Sequence, residues 1–257
     1  MIVKKVNSKK RAWPGDMSEQ QRTQVVLDVF KLFREIAEEQ IILIKSAKRD
    51  TQGLDSRHHF IFATTLSFWR DADFALSLYG TQWDFYAFYP IRTMMEKLLK
   101  MGYFNTLSEE AQNQVWQKES LLVTKRHYDM SGDQKLYNKI RGNFPSVEAI
   151  TEKELKVFPH YEELCRLYSN SKISYYWYRW LSGMPHGNLA FLLMHETLKD
   201  SEFRRCIHMG GFFGYEMLRV VDVHFANRHL IKIESTMNSA RKVFVDVMGQ
   251  SQEEAMP

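Results

Sequence analysis

The residues best suited to chemistry lie in one fifteen-residue stretch, Ser174 to Asn188, with the sequence SYYWYRWLSGMPHGN. Among its aromatic side chains are one arginine, Arg179, and one histidine, His186. An arginine can bind an oxyanion through two parallel hydrogen bonds, and a histidine can exchange a proton near neutral pH. The stretch therefore holds the residue types needed to bind a phosphate group and to move a proton beside it.

Arg179 is predicted to lie on a buried helix. Residues Ser174 to Leu181 are apolar almost all the way around a helical wheel, which is typical of a core helix. On that wheel Tyr178, Arg179 and Ser182 share one face. We therefore expect these three side chains to lie together.

A helix break is predicted between Arg179 and His186. Gly183 and Pro185 interrupt the apolar pattern, and proline is favoured at the first position of a helix. His186 then lies in the first turn, where the positive end of the helix dipole disfavours the imidazolium and keeps the ring available as a base. The same helix end can bind an anion.

A second arginine is predicted to face the core from another helix, Thr81 to Phe104. Pro90 either bends this helix or marks the first turn of its second half. Arg92 falls within the apolar arc of the helix, and Glu96 follows one turn later at the edge of that arc. Removing a guanidinium group from water is costly unless it is paired, so Arg92 requires a partner.

The composition favours an all-α fold. The chain has 257 residues, 44% of them hydrophobic, with only 12 glycines and 6 prolines, and it is rich in helix-forming residues. We expect a single bundle of about eight to ten helices over residues 16–249, with a loop-rich insertion near residues 131–159. A basic flexible arm, residues 1–15, and a flexible tail, residues 250–257, are predicted at the ends.

Hydrophobic periodicity and capping signals predict the individual helices. Ser18 and Gln21 have the spacing of a capping box at the start of the first one. Gly210, Gly211 and Gly214 lie inside a later one, where small residues permit close contact between helices. The predicted helices run from Ser18 to about Lys48, Asp55 to Tyr79, Thr81 to Phe104, Ser108 to about Met130, Tyr161 to Ser169, Ile173 to Leu181, Pro185 to Leu198, Ser201 to about His229 and Ile231 to about Met248.

The net charge of +4 is concentrated at the N-terminus. Five basic residues precede the first acidic one, Asp16, and the rest of the chain is nearly balanced. A basic arm can add non-specific affinity for nucleic acid, whereas a solvated terminus needs no partner at all. The charge alone therefore does not select a nucleic-acid-binding protein.

Several protein classes are disfavoured by the sequence. Cys165 and Cys206 lie far apart and outside any CxxC spacing, which argues against a disulfide framework or a thiolate zinc site. No histidine follows a glutamate by three residues and HExxH is absent, so we expect no metal and no cofactor. No apolar signal segment precedes Pro14, and Arg179 is among the polar residues that interrupt the most apolar window, Ile173 to Met194. We therefore expect a cytoplasmic protein without a membrane span.

Two segments of the chain resemble signatures of a helical bacterial family of unknown function. The segment YPIRTMME, which contains Arg92 and Glu96, resembles its R-x-x-x-E signature. The segment YRWLSGMPHG, from Tyr178 to Gly187, resembles its Y-x-x-x-S-x-x-x-H signature.

The spacing of Arg179 and His186 is also similar to the R-x(4 to 6)-H motif of the HEPN superfamily. Many of its members are metal-independent ribonucleases of toxin–antitoxin and phage-defence systems, built as small helical bundles. A second match to this spacing, Arg219 to His224, falls within a helix that is predicted to be uninterrupted.

The resemblance implies a HEPN-like core and a ribonuclease site. His186 would act as general base or acid, and Arg179 with Arg92 would stabilise the charge that develops on phosphorus. Glu96 would orient an arginine. The implied partners are an RNA substrate, an antitoxin or defence protein and a second copy of the chain, and the residues implied in substrate binding are Tyr178, Ser182 and Asn188.

Two other interpretations remain open from the residues themselves. The same polar side chains can form a satisfied buried network that fixes the register of the helices and performs no chemistry. They can also belong to a non-catalytic sensor or adaptor that binds a nucleotide or a partner protein. An open basic cleft favours the nuclease, unreachable side chains favour the structural network, and an exposed apolar patch favours the adaptor.

Overall fold

The computed structural model describes residues 18–46, 56–79, 81, 84–131, 135, 138, 156–169, 178–179, 181–182 and 200–239. Within these ranges the regular elements are helices and no β-strand occurs. The all-α prediction is therefore confirmed. The predicted arm (residues 1–15), the predicted tail (residues 250–257) and most of the predicted insertion (residues 131–159) lie outside the described residues.

The helices of the described residues follow the order expected from the sequence. A short helical segment at residues 178–179 and 181–182 lies between the helices Tyr161–Ser169 and Asp200–Asp222. One 3-10 helix, Asp84–Ala87, precedes the helix Phe88–Phe104, and another, Val223–Phe225, follows the helix Asp200–Asp222. The α-helices are α1 (Glu19–Ser46), α2 (Ser56–Leu78), α3 (Phe88–Phe104), α4 (Glu109–Ser131), α5 (Tyr161–Ser169), α6 (Asp200–Asp222) and α7 (residues 230–239).

The first helix begins at the predicted capping box. The backbone amide of Gln21 donates a hydrogen bond to Ser18 Oγ over 3.3 Å, and the amide of Ser18 donates one to Gln21 Oε1 over 2.7 Å. These two bonds satisfy amide groups that have no partner within the helix. The capping box is therefore confirmed.

The third helix begins later than predicted, which settles the position of Pro90. A 3-10 helix, Asp84–Ala87, replaces the first part of the predicted helix, and α3 starts at Phe88. Pro90 thus lies in the first turn of α3, where its missing amide hydrogen breaks no helical hydrogen bond. Arg92 and Glu96 follow on an uninterrupted helix.

The core lies where α1, α2, α3 and α6 pack against one another. Each of these helices turns an apolar stripe inward, and burial of each large side chain contributes about 1.5–3 kcal/mol to folding. Phe60 of α2 stacks on Phe104 of α3 and on Phe158, with ring centroids 4.6 and 5.7 Å apart. Large side chains that are fully buried in this core include Phe33, Phe68, Trp69, Phe88, Ile91 and Met94.

Close contact between α6 and its neighbours occurs at two glycines. A Cβ atom on Gly210 would lie 2.5 Å from Ile91 Cδ1 and 3.3 Å from Phe30 Cζ. A Cβ atom on Gly214 would lie 3.3 Å from Trp69 Cη2. The close helix contact predicted from the glycine spacing is therefore confirmed at these two positions.

Helix α6 ends earlier than predicted. The sequence predicted one helix from Ser201 to about His229, whereas α6 stops at Asp222 and a 3-10 helix follows. Ala226 and Asn227 then adopt left-handed backbone conformations, with φ of 54° and 58°. Left-handed residues cannot continue a right-handed helix, and the chain turns into α7.

The side chain of Asp222 explains this helix end. Its carboxylate is fully buried, and Oδ2 accepts a 2.9 Å hydrogen bond from the backbone amide of His229. Oδ1 pairs with His229 Nδ1 at 2.7 Å and accepts a 3.3 Å hydrogen bond from Gln40 Nε2. Asp222 therefore holds the turn closed, a long-range effect that apolar periodicity does not reveal.

We predict that Gly210→Ala and Ile91→Val are strongly non-additive. Gly210→Ala alone should lower the free energy of unfolding by about 1–3 kcal/mol, because the new methyl group overlaps Ile91 Cδ1 in a packed core. Ile91→Val deletes that Cδ1 atom and alone should cost about 0.5–1.5 kcal/mol. The double variant should be no less stable than Ile91→Val in urea unfolding. Additive losses would show that the overlap is not the cause.

Candidate functional site

Arg92 and Glu96 form an ion pair on one face of α3. Arg92 Nε lies 2.9 Å from Glu96 Oε1, one helical turn away, and the two side chains are 19% and 20% exposed. An i,i+4 pair places both groups on the same side of the helix. The two residues of the R-x-x-x-E signature are therefore in contact, at a site that solvent reaches in part.

Tyr161, the first residue of α5, adds a third member to the Arg92–Glu96 pair. Its hydroxyl donates a 3.2 Å hydrogen bond to Glu96 Oε2. Burial, together with the adjacent Glu96 carboxylate, raises the pKa of Tyr161. The phenol is thus held in its neutral form, in which it can donate this bond.

Tyr178 is the fourth member of this group. Its ring packs against the ring of Tyr161, with centroids 4.9 Å apart, and the guanidinium carbon of Arg92 lies 5.7 Å from the Tyr178 centroid. This distance falls within the range of cation–π attraction. Arg92, Glu96, Tyr161 and Tyr178 are called the Arg92 cluster below.

The electrostatics of the Arg92 cluster favour a charged guanidinium. Burial, the largest single influence, lowers the pKa of Arg92, but the Glu96 carboxylate and the Tyr178 side chain together outweigh it, so the pKa is raised. Arg92 therefore stays positively charged although it is partly removed from water. Its orientation is held by the Glu96 carboxylate and by the Tyr178 side chain.

Ser182 has a local partner. Its hydroxyl donates a 2.6 Å hydrogen bond to the carbonyl of Tyr178, four residues earlier, and the side chain is buried. Such a bond stays within the helical turn. Ser182 therefore stabilises the turn that carries Tyr178.

Arg179 does not share the buried face on which the sequence placed it. Its side chain is exposed, whereas Tyr178 is half-buried and Ser182 is buried. Adjacent helical residues differ by about 100° around the axis, which is enough to carry Arg179 from the packed side to solvent. His186 and Asn188 lie outside the described residues, so their predicted roles stay predictions.

Tyr161 is the cluster residue that the sequence did not single out. It is separated from Glu96 by 65 positions, and no spacing rule joins residues so far apart on different helices. It lies at the start of a predicted helix, directly after Pro159 and His160. This position indicates where the helix begins but does not reveal which side chain Tyr161 contacts. Contact information, which one sequence lacks, is needed to find it.

The two residues of the second Arg–His match, Arg219 and His224, have different neighbours. Arg219 lies over the ring of Tyr215 and pairs with Glu216 and Glu234. His224 lies on the 3-10 helix after α6, so the uninterrupted helix expected between the two residues is not present.

His224 is held in one neutral form by its hydrogen-bond partners. Arg57 Nη2 lies 3.2 Å from Nδ1, and Asn105 Oδ1 lies 2.8 Å from Nε2. Arginine can only donate, so Nδ1 accepts and Nε2–H donates. Burial, then the positive charges of Arg57 and His58, lower the pKa of His224 to about 4.

We predict that His224 makes the fold sensitive to acid. The pKa of His224 is about 6.5 in the unfolded chain and about 4 in the folded protein. Between pH 6.5 and pH 4 the unfolded state therefore binds a proton that the folded state does not bind. Stability should therefore be intact above pH 6.5 and fall as the pH approaches 4, by roughly 2–3 kcal/mol from this group. Urea unfolding at pH 7.0 and 4.5 measures the loss.

His224→Gln is the matched control for this prediction. Glutamine keeps a donor towards Asn105 and an acceptor towards Arg57 but does not titrate. The variant should lose less stability than the wild type between the two pH values. An equal loss in both proteins would assign the acid sensitivity to other groups.

Comparison of the chain with protein families, curated proteins and solved structures gives no match.

None of the helices in the described ranges combines the length and the hydropathy needed to cross a lipid bilayer. Among the side chains that the structure describes, no group of three or more His, Cys, Asp or Glu residues could hold a metal ion.

Proposed function

We propose that the Arg92 cluster is part of a phosphate-binding site and that the chain is a metal-independent ribonuclease of the toxin or phage-defence type, with a HEPN-like core. The observation that carries this proposal is the convergence of α5 and the helical residues near 178 on the Arg92–Glu96 pair of α3, whose arginine side chain is 19% exposed. A preoriented arginine is suited to a phosphate because its planar donors match two oxygens at once.

Arg179 extends the proposed site towards solvent. It is exposed and directly follows Tyr178, whose ring contacts both Arg92 and Tyr161. One half-buried and one exposed arginine suit a substrate that is bound from solution, since the exposed charge attracts the phosphate backbone and the fixed one orients it.

The proposed reaction is the cleavage of RNA by its own 2′-hydroxyl. His186 accepts the 2′-hydroxyl proton, the 2′-oxygen forms a bond to phosphorus, and the bond from phosphorus to the 5′-oxygen breaks. The protonated His186 then gives this proton to the leaving 5′-oxygen. Arg92 and Arg179 stabilise the negative charge on the phosphoryl oxygens, Glu96 and Tyr161 hold Arg92, and Asn188 binds substrate.

The proposal includes a homodimer and a partner protein. HEPN-type sites commonly form between two protomers, and an antitoxin or defence partner would keep the enzyme inactive until it is needed. A cytoplasmic location fits an RNA substrate.

A second function is favoured by the pairing inside the cluster. Glu96 accepts hydrogen bonds from both Arg92 and Tyr161, so its charge and that of Arg92 offset each other without any ligand. A structural network or a non-catalytic sensor or adaptor has the same need for satisfied polar groups. The two functions differ in whether RNA is cut.

We predict that His186→Ala, Arg179→Ala and Arg92→Ala each lower RNA cleavage at least about 100-fold, the usual loss when a general base or an oxyanion donor is removed. Arg70→Ala, which removes an exposed arginine from α2, should cleave at the wild-type rate. The measurement is the integrity of RNA incubated with the purified full chain in EDTA, with circular dichroism to verify folding.

Two results would contradict the nuclease. Full cleavage activity in folded His186→Ala and Arg179→Ala variants would remove the catalytic assignment. Intact RNA with the wild-type protein, together with a loss of stability in Arg92→Ala, would favour the structural network.

A further inference from the structure

A cavity outside the Arg92 cluster lies between α2, α3 and α4. It has a volume of about 550 Å³ and is broadly open to solvent. Apolar side chains from two of these helices, Phe60, Ala63 and Trp116, line it. Its charged lining residues are Lys97 and Lys100 of α3 and Glu119 of α4. This size and this mixture of apolar surface with a few polar groups are typical of sites for small organic ligands.

The apolar walls of the cavity are supported from behind. Trp116 stacks on His59, with ring centroids 5.7 Å apart and an angle of 19° between the planes. Phe60 is buried and stacks on Phe104 and Phe158. Because aromatic neighbours hold these rings, the cavity keeps its apolar surface without a ligand, which reduces the cost of ordering on binding.

The two lysines at the cavity differ in how firmly they are held. Lys97 Nζ forms an ion pair with Asp71 and donates a 3.2 Å hydrogen bond to the carbonyl of Ser67. Lys100 Nζ lies 3.6 Å from Glu119 Oε2, beyond ordinary hydrogen-bond length. Lys100 is therefore the less firmly held of the two ammonium groups.

Lys100 also lies at the boundary between polar and apolar surface. Its Nζ is 5.0 Å from the centroid of the Phe158 ring, and its side chain is 30% exposed. Glu119, at 24% exposed, can move towards water when another anion takes its place. One cation beside a rigid apolar pocket matches a ligand with one negative charge and an apolar body.

We propose that this cavity binds a small amphipathic carboxylate. Its apolar body occupies the space between Phe60, Ala63 and Trp116, and its carboxylate replaces Glu119 as the partner of Lys100. A single lysine suits a monoanion, because the Lys100–Glu119 pair is long enough to exchange its anion, whereas Lys97 is held by Asp71 and the Ser67 carbonyl. The proposal is independent of RNA cleavage and uses none of the residues of the Arg92 cluster.

The test is isothermal titration of the full chain with 4-phenylbutyrate and, separately, with 4-phenylbutan-1-ol. The two probes share an apolar body and differ in the charge of the head group. The acid should bind about tenfold more tightly than the alcohol, the ratio expected from one charge-assisted contact.

Two variants alter opposite sides of the same ion pair. Lys100→Met should lower the affinity for the acid about tenfold, to that of the alcohol, because the cation is lost while a side chain of similar length remains. Glu119→Gln should raise the affinity for the acid several-fold, because the competing carboxylate is removed. Both side chains are partly exposed, so both variants should fold. Neither change should alter the affinity for the alcohol.

Ala63→Phe places a large ring in the cavity and should abolish binding of both probes. Equal affinities for the acid and the alcohol, or the same direction of change in Lys100→Met and Glu119→Gln, would overturn the proposal. Binding of neither probe to the wild type at millimolar concentration would overturn it as well.

Discussion

The contact of Gly210 with Ile91 constrains the arrangement of the functional residues. It lets α6 and α3 approach closely, because Ile91 fits where a Cβ atom would otherwise lie, and the other buried residues of α3 face the same core. Once Ile91 points at α6, helix geometry determines the directions of Arg92, Glu96 and Lys100. The direction of every polar group discussed on α3 therefore follows from the apolar packing of this helix.

The fold could be predicted from the sequence where local rules govern it. The capping box at Ser18 and Gln21 and the small-residue contact at Gly210 depend on short spacings, and the structure confirms both. The predicted end of α6 was wrong, because the helix ends where the side chain of Asp222 is bound by His229 and Gln40. Gln40 lies more than 180 positions from Asp222, and hydrophobic periodicity cannot reveal so distant a partner.

The candidate site was predictable only within single helices. The i,i+4 spacing brings Arg92 to Glu96, whereas the contacts of Tyr161 and Tyr178 with that pair depend on how helices pack. The predicted burial of Arg179 was wrong, because a nearly all-apolar helix has no polar side from which its rotation can be inferred. An embedded arginine on such a helix can face either the core or solvent, and here it faces solvent.

The two kinds of contact in the Arg92 cluster also differ mechanically. Arg92 and Glu96 belong to one helix and move as one rigid body, so a shift of α3 against its neighbours leaves their ion pair intact. The hydrogen bond from Tyr161 and the ring of Tyr178 come from other parts of the chain, so the same shift changes their distances. The ion pair thus preserves the direction of the guanidinium, whereas the contacts of the two tyrosines change with the relative position of the helices.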